Sequence, residues 1–264
     1  MKQLQIIVCA KQIPDPEGPA DAFQVDPEAK KVIPVGIPPV INPFDENALE
    51  AALQIKKEFD SKITILSMGE KLAQPVLRKT LAAGADDLML LIDDCFRTLD
   101  SYSNAYVLSE AIRKTGPYDI ILTGRQAGDW DFGVTGLFIA EILQIPVVNL
   151  ARKVEVKGDW VLVEKLSEDG YEVVKAKMPV LVTVSSEVGE LRYVSVQALR
   201  AVSKRPVKIL NAANLELDLK KLTYRTILNL YTFHDERQCR FMEGESAEEK
   251  AESLAFTLRQ DRVI

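Results

Sequence analysis

The chain has 264 residues, 47% hydrophobic and 27% charged, with a formal net charge of −6. This is apolar material for one large α/β domain, or for one domain plus an appendage, and the acidic balance argues against general binding to nucleic acid or acidic membranes. A single histidine and three dispersed cysteines, Cys9, Cys95 and Cys239, form no metal-ligand cluster and read as reduced thiols of a cytoplasmic protein.

No apolar run approaches the roughly 20 residues that span a bilayer, and the N-terminus leads into a strand with no usual signal peptide. Residues 4–9 are an apolar run of strand length, broken only by Gln5, and are closed by Lys11-Gln12-Ile13-Pro14-Asp15. Residues 16–41 are rich in proline, with only short β-like pieces such as 31–33. Asn42-Pro43-Phe44-Asp45 then has the grammar of a helix start. Asn42 serves as N-cap, Pro43 sits in the first turn, and Asp45 lies near the positive end of the dipole. Phe44, Ala48, Ala51, Ala52, Ile55 and Phe59 recur behind it at helical spacing.

Residues 62–67 read as the next strand, and Met68-Gly69 turns it toward a helix that runs through Leu81. Gly84-Ala85-Asp86 caps that helix and feeds a strand over 88–92; a helix over about 102–114 and a strand over 118–122 follow. Next comes Thr123-Gly124-Arg125-Gln126-Ala127-Gly128-Asp129-Trp130-Asp131-Phe132-Gly133-Val134-Thr135-Gly136, which opens a helix over 137–143. A glycine-rich turn between a strand and a helix places free N–H groups at a helix N-terminus, where a phosphate is favoured. The spacing is neither a P-loop nor a dinucleotide fingerprint, so the turn is either such a cradle or a plain α/β connection.

Strands alternating with helices over residues 1–148 predict an α/β fold with a mostly parallel, doubly wound sheet covered on both faces. The β-branched runs 151–156, 160–165, 171–176 and 179–184 predict an added hairpin or meander. Beyond Lys204-Arg205-Pro206 the periodicity is poor until a charged helix over about 247–258. The expected organisation is a nucleotide-binding domain over 1–206 and an extended C-terminal arm over 207–264. That arm would expose Ile227, Leu228, Leu230 and Tyr231, and an ordered arm of this kind lies on something else. His234, within it, has no evident partner. In the domain, the loops 9–15, 42–45, 67–69 and 124–135 would gather at the carboxyl edge of the sheet, where nucleotides bind. Purine and ribose would lie near the first loops and phosphates at the last.

The combination resembles the beta (small) subunit of electron transfer flavoproteins. The resemblance is carried by Lys11-Gln12-Ile13-Pro14-Asp15, Asn42-Pro43-Phe44-Asp45 with Ala48-Leu49-Glu50, Leu77-Arg78, and Leu81-Ala82-Ala83-Gly84-Ala85-Asp86. It continues through Gly124-Arg125-Gln126-Ala127 with Asp129 and Asp131, then Pro179-Val180-Leu181-Val182-Thr183 and Leu191-Arg192-Tyr193. These marks occur in family order over roughly residues 3–206. The resemblance implies a heterodimer with an alpha subunit that carries most contacts to the electron-transferring FAD, the C-terminal segment of the beta chain wrapping that subunit. It implies a second adenine nucleotide in the beta chain: AMP in simple carriers, or complete FAD in electron-bifurcating members. The spellings Lys-Gln-Ile-Pro-Asp and Gly-Arg-Gln-Ala go with the bifurcating kind, in which NADH is the donor and electrons divide between a high-potential flavin path and ferredoxin. The partner would be an acyl-CoA or other flavin-dependent dehydrogenase.

Carried over by position, the nucleotide site would comprise Cys9, Asn42, Pro43, Phe44, Asp45, Met68 and residues 124–135. Backbone at Cys9 and Met68 would read an adenine edge, Asp129 would take ribose or backbone donors, and Gly133, Val134 and Thr135 would offer N–H groups to phosphate. The family commonly reads Asp-Gly-Asp-Thr-Ala-Gln-Val-Gly where this chain has Asp129-Trp130-Asp131-Phe132-Gly133-Val134-Thr135-Gly136. A hydroxyl and an amide that face phosphates are thereby replaced by Phe132 and Val134. The segment 192–205 would engage the dehydrogenase, with Val196 and Leu199 as apolar anchors near Arg192, Tyr193, Arg200, Lys204 and Arg205.

Plainer readings stand beside these. Asn42 and Asp45 are also what an ordinary helix cap requires, Cys9 and Met68 suit a core, and Arg125 suits a surface. Trp130 is either a stacking surface or a packing residue, and Val196 and Leu199 are either anchors or core. The rival function is a stand-alone nucleotide-binding or ATP-hydrolysing protein on the same fold.

Overall fold

The computed structural model describes residues 3–222, 225–232 and 239–264; His234 lies outside them. After β1 (Leu4–Cys9), the proline-rich stretch forms β2 (Gln12–Pro14), β3 (Phe23–Asp26), β4 (Lys31–Pro34) and β5 (Pro39–Ile41). These make two small antiparallel pairs, β2 with β5 and β3 with β4. The chain continues through α1 (Pro43–Glu58), β6 (Ser61–Gly69), α2 (Gln74–Ala83), β7 (Asp87–Ile92), α3 (Ser101–Thr115), β8 (Ile120–Gly124) and α4 (Thr135–Leu143). Then come β9 (Val147–Lys157), β10 (Trp160–Ser167), β11 (Gly170–Lys177), β12 (Val180–Val184), α5 (Val196–Val202), β13 (Lys208–Leu210) and α6 (Ala247–Gln260).

One nine-stranded sheet organises the domain, in the order β11-β10-β9-β12-β8-β1-β6-β7-β13. The pairs from β9 to β13 across the centre are parallel, and β10 and β11 continue antiparallel from β9. Successive side chains on a strand point to opposite faces, and the sequence supplies apolar residues for both. Ile6, Val8, Ile63, Ile65, Ile120 and Leu122 join the cluster that holds Ala48, Leu49 and Ala52 of α1 and Leu77 and Leu81 of α2. Ile7, Leu66, Leu91 and Ile121 join Val107, Ala111 and Ile112 of α3 and Ile139 of α4. Each fully buried Ile or Leu contributes roughly 1.5–3 kcal/mol.

Two expectations are corrected. The fourth β-branched run is not part of the meander: β12, buried at all five positions, lies parallel between β8 and β9. A strand covered on both faces reads as a continuous apolar run, whereas the solvated β10 alternates. The domain also runs past residue 206. Lys208–Leu210 pairs with β7 as the far edge of the sheet, and Ala212, Leu215 and Leu222 are buried beyond it. The strand pairing and this apolar burial fix 208–222 to the domain. Beyond Leu222 no described residue is buried, and Leu228, Tyr231, Phe241 and Phe256 are largely exposed. Among the described residues no helix is long and apolar enough to cross a membrane.

Candidate functional site

The connection from β1 leads to β6 on one side of it, while β8 enters on the other side. Winding therefore reverses between β1 and β8, and their carboxyl ends flank the crevice where ligands bind in open parallel sheets. The first loop leaves β1 at Cys9, and the glycine-rich loop leaves β8 at Gly124.

A side chain from α1 ties these two ends together. Asp45 accepts the Lys11 N–H at 2.7 Å on Oδ2 and the Gly124 N–H at 2.9 Å on Oδ1. Burial raises its carboxyl to about 6, against the lowering effect of bonds from Lys11, Asn42 and Gly124. Asn42 is the N-cap by position, but its side chain makes no cap bond. Instead its Nδ2 donates to the Gln126 carbonyl at 2.8 Å and its Oδ1 accepts the Gly128 N–H at 3.1 Å. Both residues are buried, so Asn42 and Asp45 shape the crevice loops from behind. Pro43 occupies the exposed first position of α1. A Cβ at residue 124 would lie 2.6 Å from Asp45 Oδ1 and 2.7 Å from Phe44 Cβ, so the close approach requires Gly124.

The rest of the loop pairs its polar groups at the surface. Lys11 Nζ pairs with both oxygens of Asp129, at 2.6 and 2.7 Å, across the crevice mouth. Gln126 Nε2 donates to Asp131 Oδ1 at 2.7 Å, and the Ala127 carbonyl accepts from Trp130 and Asp131. The rings of Trp130 and Phe132 stack at 6.0 Å and point outward, 46% and 63% exposed. Arg125 lies over the Phe44 ring at 4.6 Å, and its buried Nε has no hydrogen-bond partner among the described residues.

Gly133, at φ +63°, brings the chain to α4. That helix starts without a side-chain cap and without an acidic residue in its first turn, at Val134 and Thr135. Its leading N–H groups carry partial positive charge. This donor set, with the unpartnered Arg125 Nε, fits an anionic nucleotide. Cys9 faces the α3 and α4 side, and its thiol is pushed up to about 12 by burial and by the Asp45 carboxylate. It stays neutral there, and Met68, half-buried at the end of β6, also packs on that side.

The second set of predicted residues is gathered elsewhere, along α1 and α2. Glu50 accepts the Arg192 backbone N–H at 3.1 Å, its Nε at 3.0 Å and its Nη2 at 2.8 Å. Burial works to raise the Glu50 carboxyl, but the Arg192 bonds and charge leave it below its ordinary value. Tyr193 is 88% exposed and Val196 59% exposed, Leu199 is half-buried, and Arg200, Lys204 and Arg205 are exposed. The segment contains α5, a helix absent from the sequence expectation, with the Ser195 hydroxyl accepting the Ala198 N–H.

Sequence reasoning missed the working roles of Lys11, of Glu50 and of Arg78, which donates to the Val202 and Arg205 carbonyls at the end of α5. Glu50 carried a signal, since a carboxylate flanked by Leu49, Ala51 and Ala52 on a buried helix needs a cationic partner.

The electron transfer flavoprotein domain matches residues 31–215 of the chain. The electron transfer flavoprotein subunit beta of Thermoanaerobacterium thermosaccharolyticum is 44% identical over 220 residues, 83% of each chain. That of Clostridium acetobutylicum is 40% identical over 219 residues, again 83% of each. The caffeyl-CoA reductase-Etf complex subunit CarD of Acetobacterium woodii is 36% identical over 215 residues, 81% of this chain and 80% of the relative. The chain therefore belongs to the electron transfer flavoprotein family, and its relatives place it with the beta subunits.

Proposed function

We propose that this chain works as the beta subunit of a heterodimer with an electron transfer flavoprotein alpha subunit. It holds FAD in the crevice between β1 and β8 and passes electrons between NADH or a dehydrogenase and a partner redox protein by flavin-based bifurcation. The observation that carries the reading is the uncapped start of α4, reached through Gly133 and lying beside a loop that Asn42 and Asp45 hold in place. When bound, FAD supplies hydride acceptance and one-electron release. The protein's own residues do other work. The N–H groups of Val134 and Thr135 would meet phosphate, Arg125 would give its free Nε to a ligand oxygen, and Asp45 bridges the two strand ends at a fixed spacing.

The segment 192–205 would dock a flavin-dependent dehydrogenase of the acyl-CoA type. The relative named for a caffeyl-CoA reductase complex supports that class of partner. Ferredoxin is the proposed low-potential acceptor. AMP is the second reading for the crevice, favoured by Phe132 and Val134 at positions that otherwise contact phosphates, since one phosphate needs only the first turn of α4.

The deciding experiment is the visible spectrum of the co-expressed heterodimer with chromatography of its released nucleotides. Two FAD per heterodimer supports the proposal; one FAD with one AMP replaces it with the simple carrier. A colourless, nucleotide-hydrolysing protein contradicts both.

A further inference from the structure

Helix α1 serves two regions at once. Its first residues hold the crevice loops through Asn42 and Asp45, and the next turns hold the stretch that leads to α5. Asn47 Nδ2 donates to the Gly189 carbonyl at 2.7 Å, and Gln54 Nε2 reaches the Val188 carbonyl at 3.4 Å. Between them Glu50 takes three bonds from Arg192. On the far side of α5, Arg78 of α2 donates to the Val202 and Arg205 carbonyls at 2.9 and 2.7 Å.

We infer that Glu50 is a positioning residue for partner docking: it fixes Arg192 as an internal strut, so that Tyr193 and Val196, and not the Arg192 charge, face the partner. The inference rests on the proposed docking role of residues 192–205.

The physical case is one of availability. The Glu50 carboxylate matches the charge of the guanidinium and takes its Nε and Nη2 donors. A second protein would therefore meet Arg192 as one half of an ion pair held against α1 and not as a free cation. Glu50 is only 7% exposed, and withdrawing Arg192 would leave that charge buried and unpaired, which is strongly unfavourable. The same carboxylate also fixes the Arg192 backbone N–H, so it sets where the chain turns outward to Tyr193. Arg200 and Lys204, which are exposed and form no ion pair among the described residues, are left to steer encounter.

The test uses the intact heterodimer with a purified acyl-CoA dehydrogenase, reduced by its acyl-CoA, as the electron donor. Glu50→Gln, Arg192→Lys, Arg192→Gln, the Glu50→Gln/Arg192→Lys double variant and Val196→Ala/Leu199→Ala are compared. Glu50→Gln and Arg192→Lys should each raise KM for the dehydrogenase on the order of tenfold, with kcat little changed. The double variant should be no worse than either single, as expected of partners in one interaction. Reduction of a small dye and the salt dependence of KM should stay at wild type, because no docking charge has been removed. Amide exchange near residues 190–195 should quicken in Glu50→Gln, while exchange at Lys11 and Gly124 is unchanged.

Near wild-type KM in Arg192→Lys, with a flattened salt dependence in Arg192→Gln, would show that the arginine docks through its charge and would overturn the inference. An unaffected Glu50→Gln variant alongside an impaired Val196→Ala/Leu199→Ala variant would also overturn it, leaving the docking role intact. Wild-type KM in the Val196→Ala/Leu199→Ala variant would remove the docking role itself, and the inference with it.

Discussion

The crevice and the C-terminal tail are built on opposite plans. Around the crevice, Asn42 and Asp45 are buried polar side chains, each holding backbone groups of a distant segment, and Glu50 does the same further along α1. In the tail beyond Leu222, apolar side chains such as Leu228, Tyr231 and Phe256 stand in solvent. A buried polar group that satisfies the backbone is scaffold, whereas clustered exposed apolar groups call for a partner. The polar motifs that suggest a ligand at first sight are thus partly the frame around it.

The largest effect expected from this contrast is on assembly. Truncation after Leu222 should abolish co-purification with the alpha subunit while leaving the domain folded, because no described residue beyond it is buried. Truncation after Arg205 should also unfold the domain partially. It removes β13 and the buried Leu215 and Leu222, a loss of about 3–6 kcal/mol for the two leucines. Size-exclusion chromatography and thermal melts of both truncations check this; a tight heterodimer without the tail would break the comparison.

A smaller effect concerns Asp45. Its folded-state carboxyl, at about 6, lies above the ordinary 3.8, so the folded protein keeps a proton that the unfolded chain releases. Its contribution to stability is fully present below about pH 3.8 and is lost as pH rises through about 6. Asp45→Asn, which also leaves one of the two N–H groups without an acceptor, should cost about 1–3 kcal/mol in acid. The deficit relative to wild type should shrink by roughly 3 kcal/mol between about pH 4 and pH 8. Denaturant titrations across that range measure it, and a pH-independent deficit would contradict the buried-carboxylate account.

How much of this was legible in the sequence depends on the kind of signal. The alternation of strands and helices was plain because residues 6–9, 88–92 and 120–122 are uninterrupted apolar runs and Asn42-Pro43 marks a helix start. Three features were obscured. At three residues β13 is too short to show a period, and its place comes from pairing with β7. The seven-residue α5 was hidden by its exposed surface, although Ser195 in the N-cap position was a readable start. The partners of Asn42 and Asp45 lie across the fold, at Gly124, Gln126 and Gly128, and no local pattern names them. Their type and position were visible in the sequence; the direction of their bonds was not.

The smallest expected effect is on the outward aromatics. Replacing Trp130 and Phe132 by serine should change stability by no more than about 0.5 kcal/mol, as for surface substitutions away from packed features. Any loss of nucleotide or alpha subunit from this variant would then report a contact with that ligand or partner. A large fall in melting temperature would show instead that the pair packs inside the fold.

The central claim is that the start of α4 receives the nucleotide phosphates while Asn42 and Asp45 only frame the crevice. It is tested most directly by the nucleotide content of the heterodimer carrying Gly133→Glu, measured by chromatography of the denatured protein against wild type. The substitution places a carboxylate beside the first turn of α4, at a position with φ +63° next to the Arg125 carbonyl. The account predicts loss of the beta-chain nucleotide, with retention of the alpha-chain FAD and of the fold by circular dichroism. Full nucleotide occupancy in a folded variant would place the phosphates elsewhere and contradict the account.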